Sequence, residues 1–468
     1  MILDLATAVP ALADAVPRPF WTDRPDAPTP CEPLISATKC DLLVIGGGLT
    51  GLWAVIEAKA SDPSADVVLL EGSEIAFGAS GRNGGFFSES LSHGVAHGLA
   101  LWPDELPTLL RLGRENIKEI IEFLASEGID AGLRMCGKTA VAVKPHQIEE
   151  LRAAVALHQE YGESAVMLDA DEVRADVDSP TYLGGMRVRS GGGLLDPALL
   201  CWGLKRAALA RGVRIHEHSP VTGLQPGKPG IVTRTNQATV TARRVLLATN
   251  AYPPLLRRLR SRVLPIYDHV LVTEPLTGAQ LSAIGWRESQ GMTDAGNQFH
   301  YYRRTADDRI LWGGYDAVYY FCNRTDSGRE QRDRSHELLA AQFFQTFPQL
   351  TGLRFTHRWA GLIDSTSRFT PVFGTAMGGR LGYAVGFTGL GVGASRFGAR
   401  TALDLLAGRT TERTELELVR RKPFPFPPEP LRYPLVQFTR AALAREDEAG
   451  RRGIWLRTLD RFGIGFNS

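Results

Sequence analysis

The most constraining feature of this chain is a turn: Asp41-Leu-Leu-Val-Ile-Gly46-Gly-Gly48-Leu-Thr-Gly51. Leu42 to Ile45 is a continuous apolar run without alternation, the pattern of a parallel strand buried on both faces. Gly46 permits a tight turn, Gly48 lets backbone approach a pyrophosphate, and Gly51 lets the following helix pack close to the strand. That helix, predicted from Thr50 to about residue 60, aims its N-terminal amides and positive dipole end at phosphates. A second apolar strand, Val67-Val-Leu-Leu70, ends in Glu71, where a carboxylate accepts hydrogen bonds from both ribose hydroxyls and repels a 2′-phosphate. The alternative, a tight glycine turn in an ordinary α/β domain, leaves Glu71 unexplained.

A second signature, Ala79-Ser80-Gly81-Arg82-Asn83-Gly84-Gly85, selects among dinucleotides. A nicotinamide dehydrogenase continues into a regular βαβ unit after the acidic residue. Here a Ser/Gly/Asn loop with one cation follows, offering backbone amides and the Arg82 guanidinium to a pyrophosphate or a flavin edge. FAD is the expected cofactor, although the same composition also suits a flexible surface loop.

With these residues the chain resembles the FAD-dependent D-amino-acid oxidase superfamily, the group containing glycine oxidase and monomeric sarcosine oxidase, and within it the gamma-glutamylputrescine oxidoreductase branch. The resemblance runs from about Cys40 to Gly408. Its further landmarks are Leu195-Asp-Pro197, the segment ending at Val221, Leu264-Pro, Thr273-Glu-Pro275, Tyr301-Tyr-Arg303, Trp359-Ala-Gly-Leu-Ile-Asp364 and Gly386-Phe-Thr-Gly-Leu-Gly-Val392. It implies an α/β fold in which a Rossmann-type FAD-binding lobe is interleaved with an α+β substrate lobe built on a mainly antiparallel sheet. The FAD lobe is expected over 41–90, 166–259 and 356–408, and the substrate lobe over 91–165 and 260–355. Residues 1–40 read as an extended N-terminal arm. Residues 409–468 read as a basic, Pro-rich tail with short helices, carrying ten Lys/Arg against five Asp/Glu after Val419. Such a tail either packs its apolar stripe on the body or docks an acidic partner or membrane surface.

The resemblance also assigns contacts. The Val221 backbone meets the adenine. Gly389, Leu390, Gly391 and Val392 bring a helix start to the flavin N1–C2=O edge, where amides stabilise the charge of reduced flavin; a packing turn is the alternative. The reaction implied is loss of hydride from an amine-bearing carbon to flavin N5, with the imine hydrolysed to an aldehyde or oxo product. α-Amino-acid oxidases place an arginine after the Gly-Leu of the Trp359–Asp364 landmark for the substrate carboxylate, but Ile363 stands there, with Arg358 and Arg368 out of register. An amine such as gamma-glutamylputrescine is therefore favoured. An aminophosphonate, a secondary or D-amino acid, or a role as flavin subunit of an electron-transfer assembly are the alternatives. No cysteine lies between 356 and 372, so FAD is expected to be noncovalent.

Catalytic candidates are His269 as a proton source toward O2 or another acceptor, Tyr302 (or its neighbour Tyr301) as a substrate wall, and Trp359 (with Trp312) as an amine-pocket aromatic. The histidine also reads as a hydrogen-bonded structural residue, and the tyrosines and tryptophans as core. A composition of 44% hydrophobic and 22% charged residues with net charge +2 is that of a soluble globular protein and gives no reason to invoke nucleic acid. Five scattered cysteines without a C-x-x-C suggest a reducing, cytoplasmic setting and no metal. The uncharged stretch Leu381–Ser395 is too short to span a bilayer.

Overall fold

In the computed structural model, which describes residues 5–465, the chain forms a mixed α/β fold around two large sheets. The first four residues of the expected arm and the last three of the expected tail lie outside the described residues. The first sheet has eight strands, with Leu381–Val385, Thr239–Leu247, Thr38–Ile45, Val67–Leu70 and Arg214–His216 side by side and parallel. Leu42 to Ile45 and all of Val67–Leu70 are buried, because helices cover one face of the parallel sheet and strand residues such as Ile231, Tyr267 and Leu362 cover the other. Leu49–Ser61 and Gly391–Ala407 pack on each other at this sheet; the latter stops at Gly408, whose φ of 69° is the left-handed cap.

The second sheet has nine strands. Its spine is Leu264–Thr273, Ile310–Gly314, His300–Arg304 and Gly291–Asp294, all antiparallel, with Lys138–Ala142 joining parallel to the last. Phe355–Ser365 lies along Leu264–Thr273 in one register as far as Val272, with a bulge before Thr273, and sets Asp268 opposite Gly361 and Ile266 opposite Ile363. This long ladder carries the chain between the two sheets.

Three expectations about chain organisation differ. Gly184–Val188 pairs with Lys138–Ala142 in the second sheet, Ala165–Leu168 pairs in turn with Gly184–Val188, and Phe355–Ser365 also belongs there, so the lobe boundaries do not fall at 166 and 356. Short apolar runs read alike in either sheet, and only pairing decides which they join. The N-terminal arm is not purely extended: Leu5–Ala11 is helical and buries Ala8 and Ala11 against the second sheet's core. The tail holds an 18-residue helix, Arg432–Ala449, as well as the shorter Ile454–Arg461.

Candidate functional site

The glycine turn is built as its sequence demands. Gly46 has φ of 108°, a conformation costly for any residue with a Cβ. A Cβ on Gly51 would overlap the Gly46 carbonyl oxygen, so the helix sits against the turn only because position 51 is glycine. At Gly48 a Cβ would meet Ser80 Oγ at 2.8 Å, and that hydroxyl accepts the Leu49 N–H at 2.9 Å. Glu71 accepts the Gly47 and Ser73 N–H groups at 2.6 and 2.9 Å, while burial holds its carboxyl above the usual range.

These groups line one end of a single cavity of about 1480 Å³. That exceeds the ~300–1,000 Å³ of ordinary ligand pockets and leaves room for a dinucleotide plus a second ligand. Gly46, Gly48, Thr50, Glu71, Ser80, Arg82, Asn83, Gly84, Val221, Gly389, Leu390, Gly391 and Val392 all reach it. Gly51 and Gly85 do not; they serve close backbone packing, a Cβ on Gly85 colliding with the Leu195 carbonyl. The cradle that a Cβ would fill, the acidic acceptor and the open helix start fit FAD.

The 79–85 loop is pinned from two sides. Trp21, from the N-terminal arm, donates its indole N–H to the Asn83 carbonyl at 2.9 Å, and Trp359 donates to the Arg82 carbonyl at 2.9 Å. Asn83 closes the loop on the carbonyls of Ala79 and Ser80. The Arg82 guanidinium is engaged with the Phe77 carbonyl (2.6 Å), Glu330 (2.6 Å) and the Ala360 carbonyl (3.1 Å), a use as loop brace that its position in the sequence does not reveal.

At the other end of the glycine-lined half, Asp364 fixes the Gly386–Thr388 turn that precedes the Gly391–Ala407 helix. Its carboxylate accepts the amides of Gly386 and Thr388. Asp268 lies on the neighbouring strand, on the opposite face of the pair, and also lines the cavity, accepting the Tyr301 hydroxyl at 2.5 Å. Burial pushes both carboxyls up to about 6. The Tyr301 ring lies between two glycines: a Cβ on Gly84 would come within 2.8 Å of it and one on Gly313 within 2.7 Å. Tyr301 is thus clamped between the loop of one sheet and a strand of the other. Lys138 and Ile363 line the cavity as well, and the surroundings push the lysine ammonium below its usual range.

None of the three catalytic candidates faces this space. His269 points to the opposite side of its strand from Asp268, where it meets the His336 ring at 5.1 Å; burial holds it neutral, down to about 3. Tyr302 turns into the core and shares a 2.7 Å hydrogen bond with the Tyr182 hydroxyl. Trp359 is covered by the loop it holds. In each strand the adjacent residue, Asp268 or Tyr301, takes the cavity position, since side chains alternate across a strand.

The tail also contributes. Phe424, Leu435, Leu443, Trp455 and Leu459 line the cavity, and Asp447 accepts the N–H groups of Asn297 and Gln298, each at 2.8 Å. Several of its arginines are used internally: Arg452 pairs with Glu446 and Asp460, Arg432 with Asn323, and Arg440 donates to the Ala317 carbonyl. Among the described residues no group of three or more His, Cys, Asp or Glu could hold a metal ion, and no helix is long and apolar enough to cross a membrane.

Comparison with known proteins supplies the context. The profile of the DAO family, FAD dependent oxidoreductase, matches residues 41–405. The chain is 32% identical over 404 residues to gamma-glutamylputrescine oxidoreductase of Escherichia coli K12, covering 85% of this chain and 90% of that protein. Its fold is similar to glycine oxidase from Geobacillus kaustophilus, with a TM-score of 0.66 and 19% identity, covering 80% of this chain and 96% of that one. It is likewise similar to L-alpha-glycerophosphate oxidase from Mycoplasma pneumoniae, solved with FAD bound, with a TM-score of 0.63 and 17% identity, covering 79% and 95%.

Proposed function

This chain belongs to the FAD dependent oxidoreductase (DAO) family, and from that premise we propose that it oxidises the C–N bond of an elongated primary or secondary amine, with gamma-glutamylputrescine the leading candidate. The observation that carries the reading is the continuity of one cavity from the glycine cradle to the Asp268–Tyr301 pair. FAD, when bound, supplies the acceptor for the hydride leaving the amine-bearing carbon.

The protein's own groups handle the rest. Above about pH 6 Asp268 is a carboxylate, held in place by Tyr301, and it draws a substrate ammonium to the cavity floor. There it stands within reach to take the proton that must leave nitrogen before a carbon–hydrogen bond is broken as hydride. Asp364 keeps the turn before the Gly391–Ala407 helix closed, which orients the amides of that helix start. Ile363, standing in place of a cation, leaves no guanidinium beside Asp268 for an α-carboxylate. Lys138 supports a second reading, in which the far end of the substrate is anionic, as in an aminophosphonate or amino acid.

Anaerobic mixing of the yellow protein with gamma-glutamylputrescine, putrescine, sarcosine, D-alanine and 2-aminoethylphosphonate tests this. The expected result is bleaching by gamma-glutamylputrescine, and bleaching at least tenfold slower in Asp268→Asn. Recolouring on admitting air separates oxygen from another electron acceptor. A flavin that dithionite reduces but no amine bleaches would refute the proposal.

A further inference from the structure

The family profile ends at residue 405, yet the cavity does not. Its outer half is lined by residues of Arg432–Ala449 and Ile454–Arg461 together with the Gln147–Glu160 helix. These helices are fixed rather than loosely laid on. Asp447 takes the Asn297 and Gln298 amides at 2.8 Å, Lys144 pairs with Glu448 at 2.6 Å, and Trp455 donates to Thr439 at 3.0 Å.

The bonds that fix them also use up their polar groups. Asp447 is spent on the 297–298 backbone, and Glu446 on Arg452 at 2.8 Å. Arg432, Thr439, Arg440 and Arg452 also line the cavity but are engaged with protein partners, so the groups this wall leaves free for a ligand are the apolar Val436, Leu443, Leu459 and Ile464, beside the Trp455 ring. An amine nitrogen seated at Asp268 therefore leaves its chain lying along hydrocarbon.

We infer that this C-terminal wall, through Leu443 and Leu459, selects amines bearing a methylene chain over small amines and amino acids. The inference rests on the amine reading and adds the part of the substrate that reading leaves open. Each methylene that moves from water onto the wall strengthens binding roughly fourfold. A substrate too short to reach the wall gains none of this.

The test is a homologous series, n-propylamine to n-octylamine, titrated anaerobically into the FAD-loaded full chain. Binding is followed by perturbation of the flavin absorption and turnover by its bleaching. Affinity is expected to climb severalfold per methylene in the parent. Leu443→Asp and, as a milder change, Leu459→Ser flatten that slope while propylamine binding stays within twofold. A merely structural role would weaken every amine alike and leave the slope intact. A flat parental series, an absence of binding, or a slope untouched by both variants would overturn the inference. Binding with a slope but no bleaching supports the wall and counts against amine oxidation; bleaching without a slope does the reverse.

Discussion

Replacing Gly48 by alanine probes the cofactor cradle with one methyl group. The new Cβ would lie 2.8 Å from Ser80 Oγ, against an ordinary contact distance of at least 3.4 Å, so the hydroxyl must retreat by about 0.6 Å. That breaks its 2.9 Å bond from the Leu49 N–H at the start of the Leu49–Ser61 helix, a loss comparable to a helix cap, about 1 kcal/mol. The larger effect falls on FAD. The methyl projects ~1.5 Å beyond Cα, a carbon–carbon bond length, into the space where backbone must approach a pyrophosphate. Breaking a charge-assisted hydrogen bond between the pyrophosphate and this turn costs ~1.5–3 kcal/mol, on the order of 10²-fold in affinity. Titrating the apoprotein with FAD by flavin fluorescence should therefore show a Kd about 100-fold weaker. Denaturation gives an independent readout. At FAD one hundred times the parental Kd, the parent gains about 2.7 kcal/mol from ligand, and the variant about 0.4 kcal/mol. A Gly48→Ala protein that binds FAD within threefold of the parent would refute the placement of the pyrophosphate on this turn.

Other positions make separate demands. Gly313→Ala pushes the Tyr301 ring from 2.7 Å toward 3.4 Å with Gly84 closing its other side, so the bond to Asp268 fails; kcat/KM for the amine should drop by about 10²-fold at unchanged FAD affinity, and unaltered kinetics would show that the clamp is idle. Asp364 releases its proton near pH 6 in the folded chain against 3.8 for an ordinary aspartate, so between about pH 4 and 6 the folded state holds a proton that the unfolded chain has lost. Stability of the apoprotein from this group falls as pH rises through that window, by about 3 kcal/mol in all and by about 2 kcal/mol between pH 4.5 and 7, and Asp364→Asn lacks the fall; denaturation of both proteins at those two pH values measures it, and an identical pH dependence would refute it. Tyr302→Phe strands the buried Tyr182 hydroxyl and should cost ~1–3 kcal/mol of stability while leaving kcat/KM within twofold, whereas a large kinetic loss would return Tyr302 to the site.

The cofactor half of the site is legible in the sequence because its constraints are local. Positive φ at Gly46, overlap at Gly51 and the left-handed stop at Gly408 are backbone facts that a handful of adjacent residues state on their own. The substrate half is not local. Whether Asp268 or His269 faces the cavity is a question of strand parity, and parity is set by partners nearly a hundred residues away, such as Gly361 opposite Asp268. Leu264–Thr273 is packed on both faces, so its apolar residues do not mark one side. Trp359 carries the right chemistry for a pocket but lies under a loop whose position depends also on Trp21. Arg82 looks like a phosphate cation until Glu330 and two carbonyls claim it. In the tail, Asp447 reads as a surface charge; only the arrival of the 297–298 amides makes it a clasp.

The parallel sheet holds a consequence for how this protein is made. Its central strand, Thr38–Ile45, leaves the ribosome about 345 residues before Leu381–Val385 and the Gly391–Ala407 helix that complete the cradle. At ~5–20 residues per second that is roughly 20 to 70 seconds of synthesis. For the last ~135 residues of it, about 7 to 27 seconds, Thr239–Leu247 waits with its Leu381–Val385 edge uncovered, and no finished cofactor site exists to reward early pairing. Flavin supplied to the growing cell can rescue only finished chains, so slower growth at lower temperature, with chaperones to shield that edge, should raise the yield of yellow protein more than added riboflavin does.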